Sequence, residues 1–178
     1  MEETNSYNRL RDLILKKEIQ DAIDEYNENE IKLNTYLETG SLLNEAAGKY
    51  GQKIIDQYSK RLEETYSTDE VIKEFPNIKN NAKELRKMYM FYRAIKNGML
   101  LSYKITWGHY KILLNLDDLK EKNYYIKLCE SKMLSIKSLK RLITKKNYQN
   151  SSLEQVTNVM KYDENFMDYI YKRVIREN

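Results

Sequence analysis

The stretch TWGHYKILLNLDDLKEKNYYIKLCESKMLSIKSLKRLI, Thr106 to Ile143, decides the fold. It holds the one Trp and the one His of the chain, with Gly108 between them. Apolar residues recur through it at helical spacing, and two polar breaks divide it into three pieces. The first helix is expected from Trp107 to Leu116. Asp117 or Asp118 can cap a second that runs to Lys132, because a side-chain oxygen there accepts an amide that the first turn leaves without a partner. Ser135 caps a third, which reaches about Lys145. Its Ile136, Leu139, Leu142 and Ile143 are expected to face inward, with Lys137, Lys140 and Arg141 outward. A short turn leading into a helix with a basic outer face is the pattern of a helix-turn-helix, whose second helix meets DNA.

The same period extends outward from this stretch. One Pro and five Gly in 178 residues leave few positions for sheet turns. An opening helix is expected from Tyr7 to Tyr26, with Ile19, Ala22, Ile23 and Tyr26 on one face. A second covers Glu30 to Ala46, and Gly48 suits its C-terminal cap. A third, YGQKIIDQYSKRLEETY, lines up Ile54, Ile55, Tyr58 and Leu62. The segment STDEVIKEFPNIKNN then breaks the pattern at Pro76. From Ala82 to Lys96 a fourth helix places Leu85, Met88, Tyr89, Tyr92 and Ile95 inside, and Lys83, Arg86, Lys87 and Arg93 largely outside. With the third helix it makes a second, looser helix-turn-helix. KKNYQNSSLEQ reads as a polar linker, and one or two tail helices follow from Ser152 to Arg176, with Phe166, Tyr169, Ile170 and Val174 as their stripe. The fold class is all-α, a multi-helix bundle with helix-turn-helix-like modules.

Composition narrows the function. The chain is 41% hydrophobic and 33% charged, which fits a folded, highly charged helical protein. Sixteen tyrosines supply much of the apolar bulk, since a Tyr can bury its ring and keep its hydroxyl wet. No apolar run approaches the length of a membrane span, and the acidic start MEETNSYNRLRD is unlike a signal peptide. A cytoplasmic location is therefore expected. The net charge of +4 conceals an asymmetry. Residues 1–30 carry nine acids and four bases, whereas residues 79–146 carry seventeen Lys and Arg against five Asp and Glu. Charge concentrated in this way points to a polyanionic partner.

Chemistry is sparse. His109 and Cys129, one of each in the chain, cannot supply the three or four ligands of a zinc site. Cys129 sits in an apolar pattern with Ile126 and Met133, about one helix from His109. No glycine-rich phosphate loop is present. Asp24, Glu30 and Lys32 weakly imitate a nuclease carboxylate-lysine pattern, but they fall on expected helices, where that chemistry uses adjoining strands. No catalytic residue, metal or cofactor is assigned.

The order of YLETGSLLNEA, YGQKIIDQYSKRLEETY, LRKMYMFYRAI and the Thr106 to Ile143 stretch resembles the N-terminal domain of YhcG-type proteins, over roughly Ile31 to Ile143. The family pattern is matched at Tyr36 and Gly40, Tyr50 and Gly51, Met88 with Phe91 and Tyr92, and Trp107 with His109. Leu37 stands where that family usually has Trp, and Tyr89 where it usually has Arg. In that family the helical domain precedes a PD-(D/E)XK nuclease domain, for which the 35 residues after Ile143 are too few. The segment from Gly108 is also similar to the helical region of ParB-type partition proteins that opens on a Gly-His-Ala-Arg run, with Tyr110 and Lys111 departing from it. That likeness implies a structural, helix-packing role for Gly108 and His109.

Three domains are expected: an acidic helix at 1–30, a YhcG-like helical domain at 31–146 and a helical extension at 147–178. The expected function is non-catalytic nucleic-acid binding, double-stranded DNA first, in a protein of a mobile element or defence system. Lys83, Arg86, Lys87, Arg93, Lys137, Lys140 and Arg141 would meet phosphates, with Asn80 and Asn81 nearer base edges. The rival expectation is a protein-interaction factor that regulates or inhibits a nuclease through its basic surface, for example an anti-CRISPR protein. A homodimer stays open; a membrane partner is not expected.

Overall fold

The computed structural model describes residues 2–68 and 82–177. Every regular element among them is an α-helix: α1 Glu2–Tyr50, α2 Ile54–Thr68, α3 Ala82–Lys96, α4 Trp107–Leu113, α5 Leu119–Lys132, α6 Ile136–Thr144, α7 Asn147–Asn150, α8 Leu153–Met160 and α9 Phe166–Glu177. The chain is all-α, as its period implies. The break around Pro76, together with Asn80 and Asn81, lies outside the described residues.

The two expected opening helices are one. Asn27, Glu28 and Asn29, between the two expected helices, lie within α1, and Asn29 Nδ2 donates to the carbonyls of Tyr103 and Ile105, each at 2.7 Å. The polar side chain makes a tertiary contact, and the backbone continues through it. Gly48 is a helical residue, not a cap. The cap falls three residues later, at Gly51, whose φ of +81° ends α1 and whose amide donates to the Ala47 carbonyl at 2.9 Å.

The chain divides into two compact units, one of Met1–Ile31, Ser102–Thr106 and Asn123–Asn178, the other of Lys32–Leu101 and Trp107–Lys122. In the second unit, Leu33, Leu43, Leu85, Met88, Phe91, Tyr110 and Leu113 are buried. Phe91 is fully buried and was missed by the expected stripe of α3, whereas Tyr89 turns toward the exposed Arg93. Gly40 sets the approach of α1 to α3. A Cβ there would lie 2.3 Å from the Met88 carbonyl oxygen and 2.6 Å from Tyr92 Cβ, so no side chain larger than hydrogen fits without a backbone shift. At the other end of α3, Gly98 at φ +103° closes a Schellman motif: its amide donates to Ile95 and that of Met99 to Ala94.

Tyrosines and lysines shape the first unit. Ala22, Tyr169, Ile170 and Val174 form a core against which Ile19, Ile23, Tyr26 and Met133 pack. The ring of Tyr26 lies 4.8 Å from Phe166 and 6.0 Å from Tyr169, edge to face in both cases. Three lysines hold backbone carbonyls. Lys104 donates to Glu164 at 2.8 Å, Lys127 to Tyr162 at 3.1 Å and Lys172 to Ser131 at 2.6 Å. The expected linker is folded. Tyr124 donates to Asn147 Oδ1 at 2.8 Å, its ring lies 5.2 Å from Tyr148, and Ser152 begins α8 with a reciprocal capping box to Gln155.

Candidate nucleic-acid interface

Of the residues expected to meet phosphate, those on α6 are built as such a surface requires. Ser135 starts the helix by accepting the Ser138 amide at 3.1 Å. Leu139 is fully buried, with Leu142 and Ile143 half-buried beside it. Ile136 was expected inside but is 39% exposed, because it lies at the first position of the helix. Lys137, Lys140 and Arg141 fall on the outer side at helical spacing and are all exposed. No side-chain partner holds them among the described residues. Lys145 and Lys146, exposed at the end of α6, extend the same basic run and were missed because the segment reads as a linker.

The connection into α6 is three residues long. Met133 ends α5 at φ +46°, and the Leu134 amide reaches back to the Cys129 carbonyl at 3.2 Å, a Schellman closure made without glycine. Tyr125, fully buried on α5, supports α6 from behind: its hydroxyl is 3.5 Å from the Leu142 carbonyl and accepts the Tyr148 amide at 3.2 Å. The two helices are thus joined by a tight three-residue turn. The preceding α4 and the first turn of α5 belong to the other compact unit.

On α3 the same kinds of residue are engaged. Arg86 pairs with Asp56 of α2. Lys87 Nζ donates to Asn115 Oδ1 at 2.7 Å. Arg93 donates to the Tyr89 hydroxyl at 3.1 Å and lies over its ring. Lys83 is exposed, with no side-chain partner among the described residues. The α3 and α6 groups fall in different compact units.

The specialists of the opening stretch are interior residues. Trp107 packs against Tyr36 at 4.8 Å and Phe91 at 5.3 Å between ring centroids. Its Nε1 donates to Glu84 Oε2 at 3.3 Å, and Lys111 approaches the other oxygen at 3.5 Å. His109 is 6% exposed. Burial pushes the Cys129 thiol up to about 12, with the Glu130 charge adding to it, so thiolate is scarce near neutrality. Among the described residues no three His, Cys, Asp or Glu side chains converge as a metal site would need. No described helix is long and apolar enough to cross a membrane.

With this geometry in place, the comparison with protein families is decisive for ancestry. The DUF1016 N-terminal domain matches residues 12–150. The chain belongs to this family. The match covers the helical N-terminal region of YhcG-type proteins, in agreement with the resemblance carried by Tyr36, Gly40, Gly51, Phe91 and Trp107. No curated protein and no solved structure matches the chain. In this DUF1016 N-terminal domain, glycine stands where α1 meets α3 and Trp where α4 enters the core.

Proposed function

We propose that this DUF1016 N-terminal domain is a non-catalytic nucleic-acid-binding protein that takes double-stranded DNA on α6. The observation that carries the reading is the exposed row of Lys137, Lys140 and Arg141, without side-chain partners among the described residues, behind a three-residue turn. Such cations release counterions from a duplex when they neutralise its phosphates. Lys145 and Lys146 extend the contact, and Lys83 adds a separate exposed cation. A cytoplasmic protein of a mobile element or defence system belongs to this proposal.

The test is duplex binding against salt. For about six phosphates the slope of log affinity on log salt is near −5, from roughly −0.9 per contact. The K137E/K140E/R141E variant is expected to lose about half of that slope while its helical circular dichroism is unchanged. Plasmid, single-stranded DNA and RNA should stay intact with magnesium or manganese. Cleavage that disappears on removal of one carboxylate overturns the non-catalytic part.

One observation favours a second reading, a protein-interaction factor that regulates a nuclease. An apolar groove of about 440 Å³ runs along α1 and α3, lined by Leu37, Glu38, Ser41, Tyr92, Ile95 and Lys96. It suits an apolar side chain of a protein partner. Tight, salt-tolerant capture of one protein, with negligible DNA affinity near physiological salt, would replace the first reading with this one.

A further inference from the structure

No acid interrupts the basic run that contains α6. Residues 131–153 hold six Lys and Arg and no Asp or Glu, in a chain with 27 acidic residues. A solvated helix face usually alternates the two signs, and here only one is present. Within α6 the exposed residues are not equivalent. Successive residues turn by about 100°, so Lys137 lies nearly opposite Leu139, which is fully buried. Lys137 therefore points most directly away from the core. Thr144 shares its line to within about 20°, and Lys140 and Arg141 stand on either side of that line, about 100° apart. All four are exposed. Thr144 spends its hydroxyl proton on the Lys140 carbonyl at 2.9 Å. The Lys137 ammonium has no such partner among the described residues.

We propose that α6 lies in the major groove of a duplex with Lys137 on a guanine edge, and with Lys140 and Arg141 on the phosphates of the two strands. The proposal rests on the duplex-binding reading of α6 and adds the residue that reads sequence. The groove is about 12 Å wide, the width of one helix with its side chains. A helix that enters it turns the residue opposite its own core to the floor and the flanking residues to the walls. The walls are the two phosphate strands, and the divergence of Lys140 and Arg141 gives each strand one cation. The floor carries base edges. An ammonium has only donors, so it selects the edge richest in acceptors. Guanine shows two acceptors there, O6 and N7, whereas adenine sets N7 beside an amino group, cytosine shows an amino group and thymine sets O4 beside a methyl. Lys137 also lies in the first turn of its helix behind a short connection, the end at which helix-turn-helix readers meet bases. A lysine at the floor stays among the phosphates, so it still adds to the salt slope.

Selection of bound duplexes from a randomised pool, with the full chain and its single variants, tests this. The native chain is expected to enrich guanine at one position. Lys137→Ala is expected to lose that enrichment, its discrimination falling about tenfold or more. Lys140→Ala and Arg141→Ala are expected to keep the preference, to weaken binding to every sequence alike and to lower the salt slope by about one each. Replacing the selected guanine by 7-deazaguanine removes the N7 acceptor and keeps base pairing. It is expected to weaken the native chain and to leave Lys137→Ala unaffected. All three variants should keep their helical circular dichroism, since the positions face solvent. A native chain that binds duplex with no preferred base overturns the role of Lys137 while the duplex-binding reading stands. A guanine preference that survives Lys137→Ala does the same. A chain that binds no duplex even at low salt removes both.

Discussion

The helices α3 and α6 look alike in sequence and differ in structure. Each sets an apolar stripe against a row of Lys and Arg. On α3 the row is largely occupied: Asp56 takes Arg86, Asn115 takes Lys87 and Tyr89 takes Arg93. On α6, Lys137, Lys140 and Arg141 have no such partners among the described residues. A basic helix is therefore not yet a basic surface. Part of the positive charge over residues 79–146 shows the same distinction, since Lys104 and Lys127 are spent on backbone carbonyls inside the first unit. What decides is whether a neighbouring element brings an acceptor within reach.

The contrast can be broken at its root at Gly40, which seats α3. Gly40→Ala is expected to cost about 3 kcal/mol by overpacking, partly offset by the better helix propensity of Ala, and to lower the melting temperature by several degrees. A melting curve that matches the native one would mean that the close approach at Met88 relaxes freely. Next in size is the exchange of charge. Reversing Lys137, Lys140 and Arg141 should weaken duplex binding on the order of a hundredfold at low salt. Reversing Lys83, Arg86 and Lys87 should do far less. Equal losses from the two helices would end the distinction.

A smaller effect sharpens it. Asp56→Asn frees Arg86 while removing only an exposed ion pair, worth about 0–1 kcal/mol. Binding should gain up to about one unit of salt slope, with stability nearly unchanged. The smallest change is at the end of α6, where Lys146 holds φ +52°. Lys146→Gly should stabilise the chain by about 0.5–1 kcal/mol in urea titration, because glycine enters the left-handed region without a Cβ clash. Its cost to DNA affinity should be that of one cation.

Much of the site was legible because α6 is decided locally. The Ser135 cap, the buried Leu139 and the outward Lys137, Lys140 and Arg141 all follow from a helical period and one capping side chain. The linker reading failed for the opposite reason. Asn147, Tyr148 and Ser151 look polar and loose in sequence, but Tyr124 and Tyr125 supply rings and hydroxyls from more than twenty residues away. The boundary expected between Tyr26 and Glu30 failed in the same manner, since the Asn29 amide there serves carbonyls more than seventy residues distant.

By itself, then, the sequence determined the helical class, the start of α6 and which of its residues turn outward, since period and capping act over a few residues. Tertiary structure alone decided which charges are occupied and which glycines matter. Gly40 and Gly48 lie on the same helix and look equivalent in sequence. A Cβ at Gly40 meets the backbone of α3, whereas one at Gly48 meets nothing within 4 Å. The difference is the presence of a second helix, and no local pattern encodes where that helix lies.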